Sequence, residues 1–231
     1  MPFLRNGYGQ VEPNQLSAQI TGEIYASLPL DPDVQVLQNG EFMYYDYANG
    51  SVNAGKTAAA ATSTTPEIYA TMGEPMLVFN EVKLYDEFWR TSYKDFAIFK
   101  TGDNYVTSQL ATAKYGENSD LEQAVTIGHD SEYGYRLKGI APRLFKTNVG
   151  DIYTTNMVEA GAGITYAQGD VLAPEKHTWT YTDKSGNSAN YYTLVLKKQD
   201  KADLPDGMLW SVVKVYTMPD GQQGLKLQRV Q

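Results

Sequence analysis

The chain of 231 residues contains no cysteine and only two histidines. Without thiols there can be no disulfide, no thiolate metal site and no cysteine nucleophile, and folding does not depend on the redox compartment. His129 and His177 are far apart in sequence, and neither has a partner at the roughly three-to-five-residue spacing of zinc ligands, so no metal is expected. Long apolar runs are also missing: none approaches the roughly 18 residues of a membrane-crossing helix, which leaves no membrane partner to expect. Basic residues are in the minority, 19 Lys and Arg against 27 Asp and Glu for a net charge of -8, and they form no block. Tracking a phosphate backbone requires clustered cations, so nucleic acid is not an expected partner. The opening "MPFLRNGYGQVEPNQLSAQITGEIYASLP" lacks the basic segment and apolar run of a secretion signal, its only charges being Arg5, Glu12 and Glu23.

What is abundant is tyrosine, 18 residues against 7 Phe and 3 Trp. Tyr favours strands and contact surfaces, where the ring is buried and the hydroxyl stays wet. The opening stretch has its own character. Gly7, Gly9, Pro13 and Gly22 exclude a long helix, while Phe3, Leu4, Tyr8, Val11, Leu16, Ile20, Ile24 and Tyr25 make it too apolar for a disordered tail. It reads as an extended arm over residues 1–30 that docks on its own domain or on a neighbouring subunit, and the sequence leaves both open.

Further on, "DVQVLQNGEFMYYDYANGSVNAG" reads as short strands joined at Asn39-Gly40 and Asn49-Gly50. The small-residue stretch "KTAAAATSTTPEIYATMG" reads as a surface loop. "EPMLVFNEVKLYDEFW" has a strand pattern from Met76 to Tyr85, with "YKDFAIFK" as its expected partner strand. "SQLATAKYGENSDLEQAVTI" is the one place where a short helix is expected. From residue 136 onwards, short β segments are punctuated by Gly and Pro at the spacing of a sandwich or barrel. One hairpin is expected with its tip at Asp183 to Asn187, pairing Trp179 and Tyr181 with Tyr192 and Leu194. Another turns at Pro219-Asp220-Gly221, with Val213 and Val215 opposite Leu225 and Leu227.

Catalytic patterns are weak throughout. "GHDSEYG" groups His129, Asp130, Ser131 and Glu132, but residues adjacent in a loop diverge, and the cluster reads as a solvated turn. "DKSGNSAN" at Asp183 has its glycine in the wrong place for a calcium loop. Carboxylate pairs such as Glu81 with Asp86 arise by chance among so many acids. "GAGITYAQGD" lacks the nucleotide-binding glycine spacing, and Asn49-Gly50-Ser51, formally a glycosylation sequon, reads as a turn.

Several segments together resemble a family of structural proteins encoded among the head genes of tailed bacteriophages: the opening stretch, "EPMLVFNEVKLYD", "YKDFAIF", "PRLFKTNVGDIYTTN" and "VVKVYTMPDGQQGLKLQRV". The resemblance spans most of the chain and is least in residues 54–73 and 101–135. It implies a non-enzymatic virion protein without cofactors that decorates or cements a capsid shell, with the major capsid protein and further copies of itself as partners. Its place would be the outer surface of a virion assembled in the host cytoplasm. In that setting the arm is a tether, with Phe3, Leu4, Arg5 and Tyr8 as its partner-binding anchors, because aromatic and Arg side chains dominate desolvated contacts. Two alternatives are an unusual small major capsid protein, against which stands the lack of a long spine-helix pattern, and a carbohydrate- or receptor-binding β-sandwich.

The expected fold is mainly β: an extended N-terminal arm over 1–30, then a β-sandwich or barrel-like domain with few short helices. Within that domain, a β-rich region with inserted loops (31–135) packs with a hairpin-rich part (136–231). Removal of residues 1–12 is expected to leave the domain folded.

Overall fold

The computed structural model of the chain describes residues 9–31, 34, 36–55, 73–80, 84–85, 92–93, 97–101, 104–107, 141–182, 188–218 and 223–231. Strands account for 46% and helix for 4%, so the mainly β expectation holds. The elements are β1 (Val11–Gln15), α1 (Ser17–Thr21), β2 (Ile24–Tyr25), β3 (Val36–Gln38), β4 (Phe42–Asp46), β5 (Ser51–Asn53), β6 (Met76–Val78), β7 (Leu84–Tyr85), β8 (Ser92–Tyr93), β9 (Ala97–Thr101) and β10 (Asn104–Thr107). They continue with β11 (Leu144–Phe145), β12 (Ile152–Thr155), β13 (Val171–Thr182), β14 (Ser188–Lys198), β15 (Trp210–Thr217) and β16 (Gln223–Arg229).

One antiparallel sheet dominates, in the order β1-β12-β16-β15-β13-β14-β4-β6-β11-β2, with β5 added to β4, and it curls into a half-barrel. Smaller sheets are β10-β9-β3 and β7-β8. Successive strand residues point to opposite faces, and the central strands bury both. On β4, Phe42 joins the large core inside the curl, while Met43 and Tyr45 join a smaller core on the other face. Leu77 and Val78 of β6 divide in the same way, as do Phe145 and Leu144 of β11. This is why "FMYY" and "MLV" read as unbroken apolar runs rather than alternations.

Inside the curl, Trp210 is fully buried, edge-on to Tyr153 (ring centroids 4.9 Å) and 6.2 Å from Phe42. The Tyr153 hydroxyl has no hydrogen-bond partner, and burial holds it well above the usual phenol range. A buried, unpaired hydroxyl costs about 1 kcal/mol or more. Tyr153→Phe should therefore raise stability by about 1 kcal/mol in urea denaturation. An unfolded tyrosine ionises near pH ~10 while buried Tyr153 keeps its proton, so the unfolded chain binds fewer protons above that pH. Stability should fall as pH rises past about 10, and Tyr153→Phe should flatten that decline. A destabilised variant would show that the hydroxyl is satisfied.

Several local expectations change. β3 and β4 flank the Asn39-Gly40 turn but do not pair: β3 pairs β9, whereas β4 pairs β14, β6 and β5. The turn, with Gly40 at φ 88, carries the chain from one sheet into another instead of closing a hairpin. The expected strand from Met76 to Tyr85 is two elements, β6 and β7; "YKDFAIFK" meets it only at its first residue, where Tyr93 of β8 pairs with Leu84 of β7, and β9 in the rest of that segment pairs β3 and β10. The β13–β14 hairpin forms with Trp179 opposite Tyr191 and Thr178 opposite Tyr192, so its register is shifted from the expected one. In the β15–β16 hairpin a register shift between Val212 and Lys214 moves Val212 opposite Leu227 into the core, and Val215 is left 38% exposed. Such a bulge inserts one residue and exchanges faces, which simple alternation cannot anticipate. The expected helix at 108–127 lies outside the described residues.

The arm is also specific in its course. β1 pairs β12, Val11, Leu16 and Ala18 belong to the large core, and Leu30 bridges Val52 in the smaller one. From Gly9 to Asp31 the segment therefore holds two strands and a helical turn on its own domain. Pro13 fits there because β1 is an edge strand, where a missing N–H breaks no inner ladder.

Candidate partner interface

β1 and β2 form opposite edges of the sheet, yet they follow one another in sequence, and so do their neighbours β11 and β12. Two connections thus cross from edge to edge, residues 16–23 with α1 and residues 146–151. Extended residues advance at most about 3.6 Å and helical ones about 1.5 Å, so the first connection keeps the edges within roughly 20 Å of each other.

The two connections are bonded together. Ser17 N–H donates to Asp151 Oδ1 (3.0 Å) and Ser17 Oγ to Asp151 Oδ2 (2.9 Å), while Asn148 Nδ2 donates to Ser17 Oγ (2.8 Å). Asp151 thereby takes an orphan amide at the start of α1, a role that Leu16 at the N-cap cannot fill. Gly22, left-handed at φ 76, closes the other end by donating its N–H to Ala18 O (2.9 Å). Lys146 donates its N–H to Glu23 O (3.2 Å) and its Nζ to Glu23 Oε1 (2.8 Å). The hydrogen bond between them lowers the Glu23 carboxyl and raises the Lys146 amine, although a pair this exposed adds little stability.

Beneath this seam lies the buried Arg229 of β16. Its Nη1 donates to Thr147 O and Oγ1 (3.1 Å to the latter), Nη2 to Glu74 Oε2 (2.7 Å), and Nε to Gln231 O (2.8 Å). Three aliphatic side chains on or next to these segments are exposed: Ile20, one turn beyond Ser17, at 85%, Val149 at the tip of the bonded turn, and Val230 beside Arg229.

The other end of β1 is where the first residues enter. Gly9 N–H donates to Gln38 Oε1 (3.0 Å), Gln10 N–H to Asn156 Oδ1 (2.7 Å), and Thr155 Oγ1 to Gln10 O (2.6 Å). A Cβ at Gly9 would stand 2.1 Å from Asn39 O and 2.6 Å from Met157 Cε, so only glycine passes this slot. Gly9 and Gln10, the root of the first eight residues, are thus fixed in position.

Phe3, Leu4, Arg5 and Tyr8, the partner-binding residues expected from the sequence, lie outside the described residues, as do His129, Asp130, Ser131, Glu132, Glu81, Asp86 and the 183–187 tip. His177 is on β13 opposite Thr193. Among the described residues no group of three or more His, Cys, Asp or Glu is placed to hold a metal ion. The root and the seam bring together residues that the sequence did not single out: Gln38, Thr155 and Asn156 at one, Ser17, Asn148, Asp151 and Arg229 at the other. Gly9 was the readable signal for the root. The seam had none, since its partners come from remote segments.

No family model, curated protein or solved structure matches the chain. Its functional reading therefore rests on the residues themselves. Two features suit contact with another protein: a fixed root for an apolar, Arg-bearing segment, and the exposed aliphatic side chains of Ile20, Val149 and Val230 on or next to the seam segments.

Proposed function

We propose that the chain is a non-enzymatic virion structural protein that binds and stabilises a bacteriophage capsid shell from its outer surface, with the major capsid protein and other copies of itself as partners. The observation that supports this best is the root at Gly9 and Gln10, which is locked into the core by three hydrogen bonds. In this reading "MPFLRNGY" is a tether that starts from that root. A protein held in many copies without covalent links gains contact area cheaply from such a segment. The exposed Ile20, Val149 and Val230 give the folded domain further points of contact.

The test uses heads assembled without the protein, to which purified chain is added back and co-sedimented. The full chain should pellet with the heads, and Ile20→Asp with Val149→Asp should lower occupancy about tenfold, since both residues are exposed and the changes leave the core intact. Failure of the full chain to bind, or failure of heads to form at all without the protein, would refute decoration; the second outcome would make it the shell itself.

A further inference from the structure

An asparagine followed by glycine is chemically less inert than most residue pairs, because no side chain shields the glycine nitrogen from the amide carbon beside it. The pair occurs at 6–7, 39–40 and 49–50, and the first lies outside the described residues. The fold treats the other two in opposite ways. Asn39 is buried, its Nδ2 donates to Asn80 O (3.1 Å), and its Oδ1 accepts the Asn80 N–H (2.8 Å). Gly40 N–H donates to Val78 O (2.9 Å), and a Cβ there would stand 2.5 Å from Thr155 Oγ1. Both groups that could react are held in place.

Asn49-Gly50 sits at the tip of the β4–β5 hairpin, and both residues are exposed. A Cβ at Gly50, φ 64, would meet no atom within 4 Å, and among the described residues no backbone carbonyl accepts the Gly50 N–H. The nitrogen next to the Asn49 side chain is therefore open to water. What restrains the pair is Asp46, whose Oδ1 accepts the amides of Ala48 (3.0 Å) and Asn49 (3.1 Å) and whose Oδ2 accepts Asn49 Nδ2 (2.6 Å). Burial alone would raise the Asp46 carboxyl, but these bonds outweigh it and hold the group below the usual carboxylate range. They slow a reaction at Asn49 without closing it off, since an exposed hairpin tip opens locally at little cost.

We infer that Asn49 is a site of spontaneous deamidation, converting to aspartate and isoaspartate with water as the co-reactant. Water or hydroxide takes the Gly50 amide proton, the nitrogen bonds to Asn49 Cγ, and the Cγ–Nδ2 bond breaks as Nδ2 takes up a proton and leaves as ammonia. Water then opens the resulting cyclic imide. Cleavage at the side-chain carbonyl leaves aspartate, cleavage at the backbone carbonyl leaves isoaspartate, with the chain running through Cγ, and nothing is oxidised or reduced. The product alters the turn. In aspartate an oxygen replaces the Nδ2 that donated to Asp46, so two carboxylates face each other where a 2.6 Å bond stood, one of them buried. In isoaspartate the added backbone atom disturbs the pairing of Asp46 with Ser51. Either product loosens the β4–β5 hairpin.

The experiment incubates the full chain in mildly alkaline buffer at physiological temperature, beside a free peptide of residues 42–53, and maps both by peptide mass spectrometry with isoaspartyl methyltransferase labelling. Asn49 should convert to aspartate and isoaspartate in the folded chain, more slowly than in the peptide. Asn39 should convert at least about tenfold more slowly than Asn49, since it must wait for a larger opening. Far-ultraviolet spectra taken throughout will show that the chain stays folded. An Asn49 that remains intact in the full chain would overturn the inference whatever the peptide does, because the Asp46 bonds would then close the site. Conversion at Asn39 as fast as at Asn49 would overturn it too, because the fold would not be choosing between them. The consequence is read separately: Asn49→Asp, which reproduces one product, should melt below the original chain, and equal melting would contradict the loosening. None of these outcomes depends on capsid binding.

Discussion

Removal of residues 1–8 should leave the melting temperature of the chain within a few degrees of its starting value, and removal of residues 1–16 should unfold it. The difference lies in what begins at Gly9. Val11 and Leu16 are buried in the large core, and burying a side chain of this kind contributes about 1.5–3 kcal/mol. Gln10 adds two buried hydrogen bonds, each worth about 1 kcal/mol. The sum, about 6 kcal/mol, is comparable with the whole stability of an ordinary domain, about 5–15 kcal/mol. The tolerated cut thus falls between Tyr8 and Gly9 and not after residue 12. Thermal melts followed by circular dichroism will check it. A shorter truncation that also unfolds would place the first eight residues in the core.

The second large effect is at Trp210. Trp210→Ala should cost about 4 kcal/mol, because the indole fills the space between Tyr153 and Phe42 inside the curl and the surrounding strands cannot close over the gap. Trp210→Phe should cost about 1–2 kcal/mol, since the indole Nε1 has no hydrogen-bond partner and its removal breaks no bond. Urea denaturation of both variants gives the comparison. Equal losses would mean that the indole N–H carries the stability and has a partner after all.

How much of this was legible depended on the range of the interaction. Asn49-Gly50 marked the β4–β5 hairpin, and the two C-terminal hairpins showed in their alternation, because turn chemistry and strand periodicity are local. Register was less legible: the shift between Val212 and Lys214 reverses which valine is buried, and no residue there announces it. Strand order was not legible at all. Nothing near Phe42 says that β4 lies between β14 and β6, or that Asn39-Gly40 parts two sheets instead of closing a hairpin. The same holds for the first segment, whose apolar residues were plain while their destination was not. Val11 pairs with Thr155, 144 positions away in the chain, and only the assembled sheet decides whether such a residue is covered by its own domain or by a neighbour.

The site divides along the same line. Gly9 could be read as a residue with backbone freedom, but the slot between Asn39 and Met157 that requires it is a tertiary feature. Ile20, Val149 and Val230 lie on α1, a turn and the residue after β16, outside the strand ladder, and no local pattern announces their exposure.

The most direct test of the tether is to add full-length and 9–231 chains to heads assembled without the protein and to measure bound copies per head at equal free concentration. Full-length chain should bind, and the 9–231 chain, folded with an unchanged melting temperature, should remain in the supernatant with occupancy reduced at least tenfold, as expected when two or more anchors of about 2 kcal/mol are lost. Equal occupancy of the two chains would contradict the account.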